Sequence, residues 1–473
     1  MLKILEKYDR FLIFSLVLFL ALLIPFLGVI PHRDGNIEFV QAHDFYTGGF
    51  SGYLESRPMD VHPPLKLILT KVFFLVFGVN SFSYTLIGLI SGVIGLAFLF
   101  FLTKNLFGRK TARMTSMLLA TSPLFLSTAI FALRDYFVTI LVIISLYFYL
   151  KKRHWFYTLT ASLLVLTKET GILLPLSVIL IECLCFIKKT LKKKTLAKGQ
   201  STFVFFAFPI IVFLFWILFL KIFDRQPWGD HILADTAEKG SVYTIIHNLF
   251  TFGFLNKYTY QHWRQLFFLN FNWAYWSITL AGLFAFLSKK SNRIAIFKNL
   301  NKKPAKTKTL TVIGLFSLSY FFTVLTFPTY TIPRYALPLI PFLLMATALV
   351  LNRLVVKYKT ITPILITAII ILLSLFYSID PLSIKLWGKT EIYGERFYGL
   401  NYALDGNDGI TYNIQYLLIV KKRTKQIIAI ENQKQPLLLN ECDSVFPDPN
   451  NDYQTFGILN FKNLASNPLC VIK

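Results

Sequence analysis

Residues 60–77 read DVHPPLKLILTKVFFLVF, and the path of the chain through them decides the rest of the architecture. Pro64 pushes Pro63 out of the helical region and neither proline donates a backbone N–H, so no helix runs across the pair. Leu65 to Phe77 is apolar apart from Thr70 and the two lysines Lys66 and Lys71. Counted as a membrane crossing, it gives twelve spans and reverses every later loop. Counted as lying along the outer interface, it leaves eleven.

The surrounding composition makes this a question about a membrane. The 473 residues are 55% apolar, 16% aromatic and 15% charged, and the apolar residues come in long blocks rather than in alternation. Phe11 to Ile30 is a charge-free run long enough to cross the hydrocarbon, preceded by Lys3, Lys7 and Arg10, with no small-residue cleavage site. It reads as an uncleaved first span. Helices are expected at 11–30, 83–103, 112–131, 135–150, 155–167, 171–187, 203–223, 267–287, 310–327, 335–351 and 361–379.

Basic residues choose between the two readings. With 65–77 kept out of the count, 27 lysines and arginines fall in the N-terminus and loops of one side and nine in those of the other. Lysine and arginine accumulate on the cytoplasmic side, so the opposite assignment would give every later loop the wrong sign. The expected chain has its N-terminus inside, its C-terminus outside, and an interfacial helix at 65–77 whose Lys66 and Lys71 reach lipid head groups. The net charge of +25 is therefore a membrane-topology signal and implies no nucleic-acid partner. The fold class is an all-α polytopic membrane protein, one domain over 1–379, with its first outer loop at 31–82. A small extracytoplasmic α+β domain follows over 380–473.

Polar residues gather at the outer helix ends. The first outer loop holds Asp34, Glu38, His43, Asp44, Glu55, Asp60 and His62; Arg134 and Asp135 open the fourth helix; Lys168 and Glu169 sit in LLVLTKETGILLP; Arg334 and Tyr335 sit in PTYTIPRYALPLIP. Each has an ordinary structural role open to it: a helix start for Arg134–Asp135, a cap for Asp34, a lipid anchor for Arg334, a local ion pair for Glu38. Together they bring acids, imidazoles and cations to one mouth. Cations there suit a lipid phosphate, and a nearby carboxylate suits a base acting on something that arrives from water. A phosphate-cradling glycine loop, a G-x-S-x-G elbow and an H-E-x-x-H zinc motif are all missing from the sequence.

MDVHPPLK at 59–66 resembles the DVHPPLGK stretch in the first outer loop of the protein O-mannosyltransferases, and is similar to the EKPPL stretch of the bacterial aminoarabinose transferases. HRDGNIEFVQAHDF resembles the Asp-Glu opening of that loop, FALRDYFVTILVIISLYFYL the family's Arg-x-Asp helix, and Thr167–Gly171 and Arg334–Phe342 fall in family order. The resemblance covers roughly residues 1–350 and points to the GT-C superfamily of lipid-linked-sugar glycosyltransferases. It implies a GT-C-type bundle with Asp34 as catalytic base and Asp135 as a second, positioning acid. It also implies that His62, Lys168, Glu169, Arg334, Tyr335 and Glu38 serve the carrier phosphate or substrate. Gly35 stands where an acid often follows the first Asp, leaving Glu38 to substitute. Tyr84 and Thr85 stand where many members place an arginine, and Lys66 comes one position early.

What the resemblance implies chemically is attack by an acceptor hydroxyl, deprotonated by Asp34, on the anomeric carbon of a polyprenyl-phosphate sugar, with inversion. Beyond that donor no cofactor is called for; the scheme needs no metal, although the acid-rich loop offers ligands for a divalent ion. The expected partners are the lipid-linked donor, a glycolipid, polysaccharide or protein acceptor, and membrane lipids. A small tail and short lysine-rich loops, without the large luminal insert of the eukaryotic O-mannosyltransferases, resemble the prokaryotic members and imply a prokaryotic inner membrane. The rival reading is a transporter or flippase, which would place its charges at mid-membrane in broken helices.

Overall fold

The computed structural model describes residues 9–29, 34–56, 62–191, 200–223, 272–288, 304–326 and 333–358, with scattered positions elsewhere. It is helical over these stretches: α1 Arg10–Leu23, α2 Asp34–Ser56, α3 Leu65–Phe77, α4 Ser81–Phe107, α5 Arg109–Ala120, α6 Pro123–Ile130 and α7 Arg134–Leu150. There follow α8 His154–Val165, α9 Leu173–Leu191, α10 Gln200–Ile222, α11 Asn272–Leu287, α12 Pro304–Thr326 and α13 Ile340–Tyr358. A short antiparallel hairpin, Lys389–Ile392 with Glu395–Tyr398, is described in the tail. The expected span at 361–379 and most of the tail lie outside the described residues.

By length and composition, five described helices can cross a membrane: α4, α9 with the turn before it, α10, α12 and α13 with its preceding turn. The bent pair α6–α7 makes a sixth, and Arg10–Phe26 is a shorter apolar helix. The chain is an integral membrane protein.

Helix α7 is the centre of the bundle. Nearly every residue from Arg134 to Leu150 is buried, on all faces, as expected of a helix enclosed by others rather than by lipid. It packs against α4, α8, α12 and the 3₁₀ turn Pro333–Leu339. The outer helices show the reverse pattern, with Leu214, Phe215 and Leu218 of α10 exposed as lipid-facing apolar groups. Helix α4 meets α6 and α7 through glycines. A Cβ at Gly88 would strike the Ala129 carbonyl oxygen, and one at Gly92 would strike Tyr136 and Phe19. Small residues there let the helices approach closely.

The single helix expected at 112–131 is two. Ser122 is extended ahead of Pro123, which takes the first position of α6, as a residue before proline is driven to do. The chain then turns by 115° between α6 and α7. Ala132 makes the turn at φ +45, a left-handed conformation, with its N–H bonded to the Ala129 carbonyl. That bend sets Arg134 and Asp135 at the start of α7.

Helix α3 corrects a second expectation. It follows the prolines as expected and is not among the candidate spans, but it is oriented opposite to a lysine-anchored interfacial helix. Ile68, Val72, Leu75 and Val76 are exposed, while Lys66 is 1% exposed and turned inward. Lys71 likewise bends onto α2, donating to the Phe45 carbonyl at 3.3 Å. Neither lysine is an anchor for head groups; the apolar side of the helix faces outward.

Candidate active site

Five stretches of the chain meet at one end of the bundle: the start of α2, the Pro-Pro turn with α3, the start of α7, the turn before α9 and the turn before α13. One backbone bond ties two of them, Leu65 N–H donating to the Leu166 carbonyl at 2.8 Å. It holds the Pro-Pro turn against the turn that carries Lys168 and Glu169.

The first group is built on α2 and α3. Lys66 forms a buried ion pair with Glu38 and donates to the Tyr84 hydroxyl at 2.5 Å. Tyr84 in turn donates to the Gly35 carbonyl at 3.1 Å, fastening α4 to the start of α2. Arg134 approaches the second oxygen of Glu38 at 3.4 Å and donates to the Gln41 side chain at 2.9 Å. Both α2 and α3 lie outside the candidate spans. Burial alone would raise the Glu38 carboxyl, but the charges of Lys66, Arg134 and Arg334 outweigh it and hold the group at about 2. For Lys66, loss of solvation outweighs the pull of Glu38 and brings the ammonium down to about 8.

The second group is centred on Asp135. Lys168 donates to one of its oxygens at 2.7 Å, and Arg334 lies 3.4 Å from the other. Asp135 also sits in the first turn of α7, where the helix dipole favours an anion. Tyr335 underlies both cations, with Lys168 4.5 Å and Arg334 5.4 Å from its ring centroid. In the third group, His62 Nδ1 lies 3.0 and 3.1 Å from the two oxygens of Glu169. An ionised carboxylate only accepts, so Nδ1 carries the proton in this bond. The Tyr53 hydroxyl donates to the His62 carbonyl at 2.9 Å and fixes the turn from the α2 side.

Of the residues singled out in the sequence, Glu38, His62, Asp135, Lys168, Glu169, Arg334 and Tyr335 are brought together. Asp34 opens α2, one helical turn before Glu38; its side chain is outside the described set. Sequence reasoning missed Lys66, taken for a lipid anchor, and Gln41 and Tyr84. Arg134 was visible but read as part of a helix start. A signal for Lys66 was present: it shares a four-residue spacing with Thr70 and Phe74, opposite an apolar face, so its stripe is the buried one. Among the described residues, no group of three or more His, Cys, Asp and Glu is placed to hold a metal ion.

Among the described residues this end of the molecule has three buried carboxylates, Glu38, Asp135 and Glu169, and four cations, Lys66, Arg134, Lys168 and Arg334. Every carboxylate has a cation or imidazole partner. An isolated buried charge would be prohibitive, so the set is stable only as a network. Its described side chains carry a surplus of one positive charge before His62 and Asp34 are counted.

Residues 61–217 match the family model of the dolichyl-phosphate-mannose-protein mannosyltransferases. Over that stretch the match bears out the resemblance to the protein mannosyltransferases. The segment contains His62, Lys66, Arg134, Asp135, Lys168 and Glu169; Asp34, Glu38 and Arg334 lie outside it. A protein of Aquifex aeolicus (strain VF5), described as an uncharacterized protein, is 24% identical over 260 residues, covering 51% of this chain and 48% of that protein. The chain thus spans about half the length of that relative. ArnT from Cupriavidus metallidurans bound to undecaprenyl phosphate is 16% identical with a TM-score of 0.46, over 89% of this chain and 70% of ArnT. The archaeal oligosaccharyltransferase AglB from Archaeoglobus fulgidus, in complex with an inhibitory peptide and a dolichol-phosphate, is 12% identical with a TM-score of 0.48. That alignment covers 97% of this chain and 60% of AglB.

Proposed function

We propose that this protein is a membrane glycosyltransferase that moves a hexosyl or pentosyl group from a polyprenyl-phosphate donor to an acceptor hydroxyl, amine or phosphate on the extracytoplasmic face. The observation that carries the reading is the one-ended, buried charge network, whose described side chains hold a surplus of a single cation. One phosphodiester is the anion that such a pocket neutralises. A diphosphate-linked donor would ask for more positive charge than the network holds.

In this reading Asp34 takes the acceptor's proton, and the acceptor oxygen attacks the anomeric carbon from the face opposite the phosphate, inverting it. Lys168 and Arg334, held apart and aimed by Asp135, take the charge that develops on the departing phosphate. Tyr335 supports them, Glu38 holds Lys66 and Arg134, and His62 borders the phosphate with Glu169 behind it. The donor is the sole cofactor-like partner; the acceptor is a glycolipid, polysaccharide or protein, and the surrounding partner is lipid. The chain runs through eleven spans from a cytoplasmic N-terminus in a prokaryotic inner membrane. Residues 1–379 form the transferase domain and 380–473 a small extracytoplasmic domain.

The test is transfer from a panel of radiolabelled polyprenyl-phosphate sugars by purified protein in liposomes, with product configuration read by NMR. Turnover of a monophosphate donor with inversion supports the reading. Transfer confined to diphosphate-linked donors, or carrier lipid moved across the bilayer without sugar transfer, overturns it.

A further inference from the structure

Transfer changes the charge inside the pocket. A sugar phosphodiester carries one negative charge, and the lipid phosphate left behind, a phosphomonoester, carries close to two near neutral pH. The charges of the described side chains in the network match the first state and not the second. Among the described residues, His62 is the group at this end built to make up the difference. Glu169, 1% exposed, receives Nδ1 on both oxygens, which orients the ring. Among the described residues no partner is recorded for Nε2, and the side chain is 18% exposed, so that nitrogen remains available to a proton. The other groups set around it are committed elsewhere. Lys168 is on Asp135, Lys66 in the helix that follows the Pro-Pro turn is on Glu38, and the Tyr53 hydroxyl is on the His62 carbonyl.

We infer that the His62–Glu169 dyad is a proton sink that balances the product lipid phosphate, so that the carrier phosphate is held together with one proton taken up on His62 Nε2. This rests on the transferase reading. In the step, the bond from the acceptor oxygen to the anomeric carbon forms as the bond from that carbon to the phosphate oxygen breaks, and its electron pair stays on the phosphate. The acceptor's proton, removed by the base, ends on Nε2. Overall charge is conserved: a phosphodiester monoanion and a neutral imidazole become a phosphate dianion and an imidazolium. Glu169 is a positioning residue that acts through His62. Product release is then tied to loss of that proton, which makes release faster at higher pH.

The inference is tested by calorimetric binding of undecaprenyl phosphate to the protein in nanodiscs near pH 7, repeated in buffers of different ionisation enthalpy, with a dialkyl phosphate monoanion for comparison. The wild type is expected to take up a large fraction of one proton per undecaprenyl phosphate and almost none with the diester. His62→Asn should bind with no uptake. In Glu169→Gln the uptake should shift to lower pH, a change that loss of packing alone does not produce. Should His62→Asn fail to bind, the wild-type and Glu169→Gln values decide. Binding without uptake in the wild type, or uptake that persists in His62→Asn and so belongs to another group such as Lys66, overturns the inference and leaves the transferase reading standing. No binding of undecaprenyl phosphate by the wild type takes down both.

Discussion

Lys66 is fully enclosed, and its ammonium is compensated by Glu38 and hydrogen-bonded to Tyr84. Removing one member of a buried pair leaves an uncompensated charge, whereas replacing both by apolar groups of similar volume is close to neutral. Glu38→Gln should therefore lower stability by about 3–5 kcal/mol, and Lys66→Met in the same chain should restore most of it, read by thermal unfolding in detergent. Their pH dependences have the same sense but fall in different windows. Glu38 is depressed, so its contribution is present above the ordinary carboxylate range and is lost as pH falls towards about 2. Lys66 is depressed from 10.5 to about 8, so between those values the unfolded chain binds more protons and the folded state gains stability as pH rises. The same rise removes a cation from the site. Transfer activity should decline as pH passes about 8 while thermal stability does not, and Lys66→Arg should move that decline to higher pH. Much at this scale could be read from residue type and helix-end position, as with Asp135, Lys168 and Arg334. What escaped was direction. A lysine beside a membrane is read as an anchor unless its spacing is compared with that of the apolar residues around it.

At the scale of elements, α4 and α7 locate the site because they approach closely enough for α7 to be walled in on every side. Gly88 faces a backbone carbonyl of α6, which cannot swing aside as a side chain can. Gly88→Ala should cost about 1–3 kcal/mol through overpacking and displace α6. Gly314, with open space around it, serves as a control for helix propensity alone, so Gly314→Ala should not destabilise. Thermal unfolding of the two variants side by side checks both. The break at Ser122–Pro123 had a readable cause in the proline. The 115° bend had none, because Phe131-Ala132-Leu133 contains no glycine or proline, and a left-handed alanine is imposed by the helices that meet there rather than by local preference. Long apolar blocks such as α4, α10 and α12 were legible from composition and length alone.

Across the whole molecule, the two poles differ in kind. One holds the Glu38, Asp135 and Glu169 network. The other holds a tether of Asp9 to Arg109 and Arg113 and a bridge in which Lys308 donates to Glu182 at 2.7 Å. In the sequence, loop charge assigns the acids and histidines of the first loop to the side opposite the lysine-rich loops. Which groups touch was beyond sequence. Contacts such as His62 with Glu169 and Glu38 with Arg134 join residues some hundred positions apart, and they depend on the bend before α7 and on the Leu65–Leu166 bond. The central claim is that this pole transfers a sugar from a lipid phosphate with Asp34 as base. Its most direct test is sugar transfer from a polyprenyl-phosphate donor in liposomes by wild type and Asp34→Asn, with donor binding measured on both. The wild type is expected to turn over the donor, and the variant to lose at least about 10²-fold with binding retained. Equal turnover by the two proteins would contradict it.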